Sequence, residues 1–570
     1  MVRYTFSCEN PSQQYVQIQA IIPVEKEETV INLPCWRPGR YELANFAKNI
    51  KNFKVYNEEK KTVEFHKTSK DTWLVDSRNT DKIIVEYSYY ANELNAGSTF
   101  FDHSQLYVNP VNCAVFTEET KHFKIEVLLN IPSSWQIASS MRKEGNVLTV
   151  ENFEEFVDSP FVCSSNLQYN QYEERGILFH VWFNGIVKPD WSRLIKDFKA
   201  FTQKQLEKFK DFPSDEFHFI IQILPYKTYH GVEHQKSTVI TLGPSYDVFK
   251  GLYKELLGVS SHELYHAWNV KSIRPAEMLP YDFTKENYSS LGYVYEGVTT
   301  YMGDLFLYKS GVFNLDQYLL EFKTQLQKHF DNPGRFNYSV AESSFDTWLD
   351  GYVQGAPGRK VSIYTEGCLL AFVSDVMILK ATKNQFSLDT VMKRLYFDFY
   401  KKDKGITEED YKSVLENVSG ISFDEIFKDF INGNRPFESI ITEALEYIGL
   451  ELHHSPVAHY SQGRLGFKAF PSLGSSYIVK QIYPGGPADL GGVMLEDEVI
   501  SINGISLNRD LDQWLEYFDD DLKKLLVLRK GQVVELLLPE VDRNFYMQYT
   551  VRPLDKMNTP QLKAFEAWSK

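Results

Sequence analysis

His262-Glu263-Leu264-Tyr265-His266 sets two histidines at i and i+4. On a helix that spacing puts both imidazoles on one face, where their ring nitrogens can meet on one metal ion. Glu263 directly follows the first histidine and can reach an activated water without ligating the metal. The pentad therefore holds two zinc ligands and a general base, a group that contributes roughly 10²–10⁴-fold by proton transfer. The bland alternative is a solvated or core histidine pair on an ordinary helix.

Catalytic zinc takes three protein ligands and leaves a fourth position open. The third must come from elsewhere, and Glu296, in Tyr295-Glu296-Gly297-Val298-Thr299-Thr300-Tyr301, is the candidate. On spacing alone it is equally a solvated glutamate near a helix start.

The elements that position these groups follow from hydrophobic periodicity. Residues 1 to about 165 read as short alternating strands, with Val16–Ile22 and Lys82–Tyr89 as examples. Trp191 to Phe212 has helical period and precedes an apolar strand, Phe217 to Leu224. Val239 to Leu242 reads as a strand before the pentad's helix. From about 290 to 435 the pattern is helical, in Asp316–Phe330, Gly367–Lys380 and Thr407–Val418. Strands resume near 445, and a last helix opens at Thr559-Pro560.

The segment His262-Glu263-Leu264-Tyr265-His266-Ala267-Trp268-Asn269-Val270-Lys271-Ser272-Ile273-Arg274-Pro275 resembles the zinc-helix signature of the glycyl aminopeptidase family, metallopeptidase family 61. Trp36-Arg37-Pro38-Gly39-Arg40-Tyr41, Gly231-Val232-Glu233-His234, the Glu296 segment and Ser344-Phe345-Asp346-Thr347-Trp348 agree in order. The resemblance implies a multidomain α+β chain: an N-terminal all-β domain (1–168), a thermolysin-like gluzincin catalytic domain (169–440), a PDZ domain (445–542) and a C-terminal tail with a short helix (543–570). It implies one Zn²⁺ per chain on His262, His266 and Glu296, with Glu263 as base and the Tyr364 phenol supporting the oxyanion.

By the same resemblance, Gly231, Val232, Glu233 and His234 form the substrate-binding segment, with Glu233 clamping a free α-amine. Glycine admits a close backbone approach, and an edge strand there can pair with substrate. A charge-assisted hydrogen bond of roughly 1.5–3 kcal/mol favours a free amine over a blocked one by about 10- to 150-fold. His230 and His234 are not needed as further ligands. Two positions depart from the family pattern: Tyr295 replaces a small or polar residue, and Glu366 stands where lysine is usual.

Gly463-Arg464-Leu465-Gly466-Phe467 resembles the carboxylate loop of PDZ domains. Pro484–Gly492 and Val499–Gly504 follow in PDZ order. Successive loop amides can cradle a peptide carboxylate while a sheet edge accepts the peptide as a strand. A C-terminal peptide is thus an expected partner at this groove, alongside peptide substrates with a free N-terminus.

A formal net charge of −15 argues against nucleic acid or an anionic membrane as partner. The five widely spaced cysteines offer no C-x-x-C pair and read as free thiols. No leader profile and no apolar run of spanning length is present, so the expected location is cytoplasmic. The expected function is a zinc aminopeptidase removing small N-terminal residues, Gly or Ala. A zinc endopeptidase, a PDZ-centred scaffold with a vestigial peptidase and a hydrolase of non-peptide substrates are the rivals. Oligomeric state has no signature in the sequence.

Overall fold

The computed structural model describes all 570 residues. The N-terminal region is all-β. Its main sheet has seven strands, in which Val2–Ser7 lies between Ile125–Asn130 and Tyr15–Pro23. Strict alternation in Tyr15–Pro23 drives Val16, Ile18, Ala20 and Ile22 into the core and leaves their neighbours half-buried on the other face. Four- and three-stranded sheets complete this region.

From the three-stranded sheet a loop carries Trp36 to Tyr41 onto the catalytic region. Trp36 is fully buried, its indole N–H donates to the Asp282 carbonyl at 2.8 Å, and it packs edge-on against Trp348. An apolar anchor of this size fixes the loop far more tightly than its backbone would.

The catalytic region opens with a five-stranded sheet. Its spatial order is Gln168–Glu174, Ile177–Gly185, Glu216–Ile223, Ser237–Gly243 and, at the edge, Thr228–Glu233. Helix Trp191–Phe209 links the parallel strands Ile177–Gly185 and Glu216–Ile223 and buries Leu194, Phe198, Phe201 and Leu206 on one face. The segment Gly231-Val232-Glu233 is itself the end of the edge strand, and the strand that follows it, Ser237–Gly243, pairs with it antiparallel.

The histidine helix, Tyr253–Tyr265, packs on this edge, and a largely helical region follows. It contains the cleft helix Leu315–Asp331 and the apolar helix Ile363–Ala381. No helix is long and apolar enough to cross a membrane.

The C-terminal β module has strands Phe467–Pro471, Tyr477–Ile482, Glu498–Ile502, Lys523–Arg529 and Gln532–Leu538, with helix Leu511–Tyr517 and a core of its own. The chain enters and leaves it through a ribbon, Leu450–Pro456 paired with Met547–Pro553. Residues 543–570 therefore supply a strand as well as the last helix. That helix, Thr559–Ser569, is capped by Asn558 with Gln561, not by Thr559. It returns Trp568 to the catalytic core, where the indole N–H donates to Tyr301 Oη at 2.9 Å.

The loop Gly463–Phe467 is not an open carboxylate cradle. Tyr460–Gly463 is a helical turn whose carbonyls take up the loop amides. Arg464 and Leu465 donate to Tyr460 O at 2.9 and 3.3 Å, and Gly466 donates to Gln462 O at 3.2 Å. Phe545 closes over it, donating its N–H to Gly463 O at 2.9 Å. Amides committed in this way are not available to a ligand.

Candidate active site

His262 and His266 meet as the helical spacing requires, with Nε2 atoms 3.0 Å apart. Glu296 arrives on the π-helical turn Tyr293–Val298, its Oε2 3.4 Å from His266 Nε2 and 3.9 Å from His262 Nε2. Metal–ligand bonds of about 2.0–2.1 Å at tetrahedral angles separate ligand atoms by about 3.3 Å, so the three donors stand near the spacing that zinc needs. The His266 Nδ1–H donates to Asn269 O at 2.7 Å. A carbonyl only accepts, so this bond fixes the tautomer that offers Nε2 to a cation.

Charge agrees with geometry. Burial lowers the His266 pKa, but the carboxylates of Glu296, Glu233 and Glu263 outweigh it and raise the imidazole to about 10. The pocket thus favours positive charge at this point. Burial also holds His262 well below the usual histidine range. The donor set, the spacing and the field all fit one zinc ion.

Glycines fit the helices around these donors. A Cβ on Gly303 would stand 3.0 Å from His262 Cα, and one on Gly297 would stand 2.3 Å from Gly367 Cα. The second contact seats the start of helix Ile363–Ala381, and with it Tyr364, against the Glu296 turn.

Glu263 is buried, and its Oε2 has no partner. Burial, then the charges of Glu233 and Glu296, raise its pKa well above the usual carboxylate range despite the opposing pull of His266. That is the direction a general base near neutral pH requires.

Glu233 is also buried, with Oε1 unpartnered. One ligand atom each from Glu233, Glu263 and His266 falls within 4.8 Å of the others. Two glycines make room for these carboxylates. A Cβ on Gly231 would lie 2.1 Å from Glu263 Oε1, and one on Gly39 would lie 2.5 Å from Glu233 Oε2. Gly39 comes from the N-terminal loop and has φ +81°, a conformation that favours glycine.

Strand alternation divides the expected substrate segment. Gly231 and Glu233 share the face that lines the cleft. Val232 points the other way into a core with Leu167 and Val239. His234 also turns from the cleft, its Nδ1 pairing with Asp158 Oδ1 at 3.1 Å. The expectation that all four residues face substrate is corrected to two, because successive side chains of a strand point to opposite faces.

Sequence reasoning gave no role to several residues that hold this arrangement. Lys271 Nζ bonds Asp158 Oδ1 at 2.7 Å, with Lys271 buried and Asp158 largely so. Arg274 pairs with Glu154 at 2.6 Å and lies over the Tyr281 ring. The segment after the histidines thereby fastens the catalytic helix to the N-terminal region, and its two cations, close to a metal helix, were the available signal. Arg37 is buried against Gly97.

Tyr364 lines the cleft next to Glu296, and burial, then the charge of Glu296, raises its pKa, which keeps the phenol a donor. Glu366 is not a bare acid beside the site: His329 Nδ1 bonds its two oxygens at 2.8 and 2.7 Å, and both side chains are buried. Tyr295 packs its ring 5.1 Å from that of Tyr41, so the unusual bulk is spent on the N-terminal loop. The cleft encloses about 860 Å³ and is lined mainly by polar side chains.

Three family models match the chain: a Peptidase M61 N-terminal domain over residues 3–165, the M61 glycyl aminopeptidase over 255–370 and a PDZ domain over 478–529. A solved structure from Idiomarina loihiensis, described as an aminopeptidase N family protein, superposes with a TM-score of 0.92 at 24% identity, covering 100% of both chains. An M1 zinc metallopeptidase mutant from Deinococcus radiodurans, bound to Tyr-Ser-Ala, has a TM-score of 0.47 at 10% identity, covering 76% of this chain and 94% of that one. No curated protein matches the sequence.

Proposed function

The chain belongs to the M61 glycyl aminopeptidase family and is a metallopeptidase, and we propose that it is a zinc aminopeptidase releasing single small residues from the N-termini of peptides. His262, His266 and Glu296 would hold the ion. Bound there, zinc supplies a Lewis acid that activates water and polarises the scissile carbonyl.

The chain's own residues do the rest. Glu263, desolvated and poised by its raised pKa, takes a proton from the attacking water and passes it to the leaving amine. Tyr364, held neutral, donates a hydrogen bond to the oxygen that gains charge. Glu233 accepts the substrate's α-ammonium, whose charge offsets that of the buried carboxylate. The edge strand Thr228–Glu233 aligns the first residue's backbone.

One observation carries the reading: a buried carboxylate with an unpartnered oxygen, Glu233, within 4.8 Å of the base and a ligand. An endopeptidase has no use for a desolvated anion at the point where the chain would have to continue. The preference for Gly or Ala rests on the family alone.

The test is mass spectrometry of Gly- and Ala-started peptides, free and N-acetylated, with and without chelator. Chelator-sensitive loss of one residue from free peptides only is expected. Internal cuts in acetylated peptides would overturn the amine-binding role of Glu233.

A further inference from the structure

The cleft does not end at the metal site. On one side it is closed by Glu233 and the loop at Gly39. On the other it opens into a second chamber of about 700 Å³, and Thr324, Lys328, Asn332 and Ser362 line both. A peptide whose amine sits at Glu233 and whose first bond lies at the ligands can continue into this chamber.

The second chamber has the opposite charge to the protein around it. Lys323, Lys328, Arg359, Lys360 and Lys468 line it, against Asp331 and Asp350, in a chain of net charge −15. Three of the cations are occupied. Lys468 pairs with Asp331 at 2.5 Å, and Arg359 and Lys360 pair with Asp350 at 3.0 and 3.1 Å. Lys323 and Lys328 form no ion pair. They stand on the cleft helix, whose i, i+4 and i+7 positions Glu321, Gln325 and Lys328 face the first chamber.

Part of the far wall belongs to the C-terminal module. Lys468 and Gln481 come from its first two strands, and the Lys468–Asp331 pair ties them to the cleft helix. The module whose loop amides are already committed thus contributes to the wall of the second chamber.

We infer that the second chamber is a subsite for the anionic downstream part of a short peptide, with Lys328 and Lys323 pairing to its carboxylate. The inference rests on the aminopeptidase reading for the direction of the chain. The carboxylate is either the C-terminus of a short peptide or an acidic side chain of a longer one, and the chemistry of recognition is the same.

The test uses the full chain and Gly-started alanine peptides three to six residues long. Each is made as the free acid, as the C-terminal amide, and as amides ending in Glu or Lys. At about 20 mM salt the acid is expected to exceed the amide by about fivefold in kcat/KM at one favoured length, a gap that shrinks near 0.5 M salt. The Lys323→Gln/Lys328→Gln chain should bring the ratio near one, and the Lys323→Arg/Lys328→Arg chain should retain it.

Recovery by the Glu amide alone assigns the subsite to side-chain carboxylates. Preference for the free acid alone assigns it to the C-terminus. Equal rates for acid, amide and Glu amide at every length, or a ratio unmoved by the double Gln substitution, would overturn the inference. Binding of the same peptides to the Glu263→Gln chain reads the same ratio without turnover. If no N-terminal residue is released from any peptide, the aminopeptidase reading fails, while the binding ratio still decides the chamber.

Discussion

Gly231→Ala presses more directly on the base than on any other group in the site. Gly231 lies in an edge strand and lacks a positive φ, so alanine fits its backbone without strain. The added Cβ would meet Glu263 Oε1 at 2.1 Å and Val259 Cγ2 at 2.8 Å. An ordinary contact begins at 3.4 Å, so the carboxylate must retreat by 3.4 − 2.1 = 1.3 Å. The Glu263 tip is flexible enough to do so, which makes this a displacement of the base rather than an unfolding event. A misplacement of about 1 Å costs on the order of 10²-fold. The general base as a whole is worth roughly 10²–10⁴-fold. Gly231→Ala should therefore lower kcat/KM for a Gly-started peptide about 100-fold, with the bound zinc content and Tm close to those of the parent. Quantified release of glycine, elemental analysis and a thermal melt read the three quantities. Activity within threefold of the parent at full metal content would refute the assignment of Glu263 as a base acting from this position.

Glu233→Ala should collapse the preference for free over acetylated amines by about 10- to 150-fold, measured as a ratio of kcat/KM. Gly39→Ala should move the same ratio in the same direction, because its Cβ would lie 2.5 Å from Glu233 Oε2. Lys271→Met leaves the partly buried Asp158 carboxylate with only His234 and the Gln235 amide as partners, and should destabilise the chain by about 3 kcal/mol in a urea titration. Burial lowers the His218 pKa to about 4, against about 6.5 in an unfolded chain. The unfolded state takes the proton first, so this stability is complete above pH 6.5 and is lost as pH falls to about 4. The loss is about 3 kcal/mol, and His218→Gln should flatten that limb of the curve. Trp568→Ala removes a fully buried indole and its bond to Tyr301, and should cost about 3–5 kcal/mol in denaturant midpoint experiments.

The convergence of the candidate metal ligands was legible because one of their spacings is local. Two histidines four apart on a helix can only converge, and they do, at 3.0 Å. Strand Tyr15–Pro23 was legible for the same reason, since its alternation is written in consecutive residues. What escaped is what the fold brings from far away. Gly39 reaches Glu233 across 194 positions of chain, Asp158 reaches Lys271 across 113, and no periodicity encodes either meeting. The division of Gly231 to His234 between two faces was recoverable, because a strand must alternate. It was missed because Gly231 to His234 was taken as one binding segment instead of residue by residue along a strand. The loop at Gly463 was misjudged in a different way: its residues suit a carboxylate cradle, but whether an amide is free depends on the turn that precedes it.

The placement of glycines argues that the carboxylates, and not the metal ligands alone, are what this fold is arranged to hold. Leaving Glu263 and Glu233 buried with an oxygen unpartnered on each is costly, since a buried polar atom without a hydrogen bond forfeits its solvation. A vestigial site would relax by letting larger residues fill the space and push both groups toward solvent. Here the opposite holds. Gly231 and Gly39, from two different regions, keep the space directly beside each carboxylate clear. Lys271 and His234, through Asp158, secure the far side of the strand that carries Glu233. An arrangement of this kind persists only where the surrounding structure imposes it, and under the proposed function a metal ion and a substrate ammonium would supply the missing partners. The N-terminal loop therefore lines the candidate active site, and under the proposed function an amine preference would depend on its seat at Trp36 as well as on Glu233.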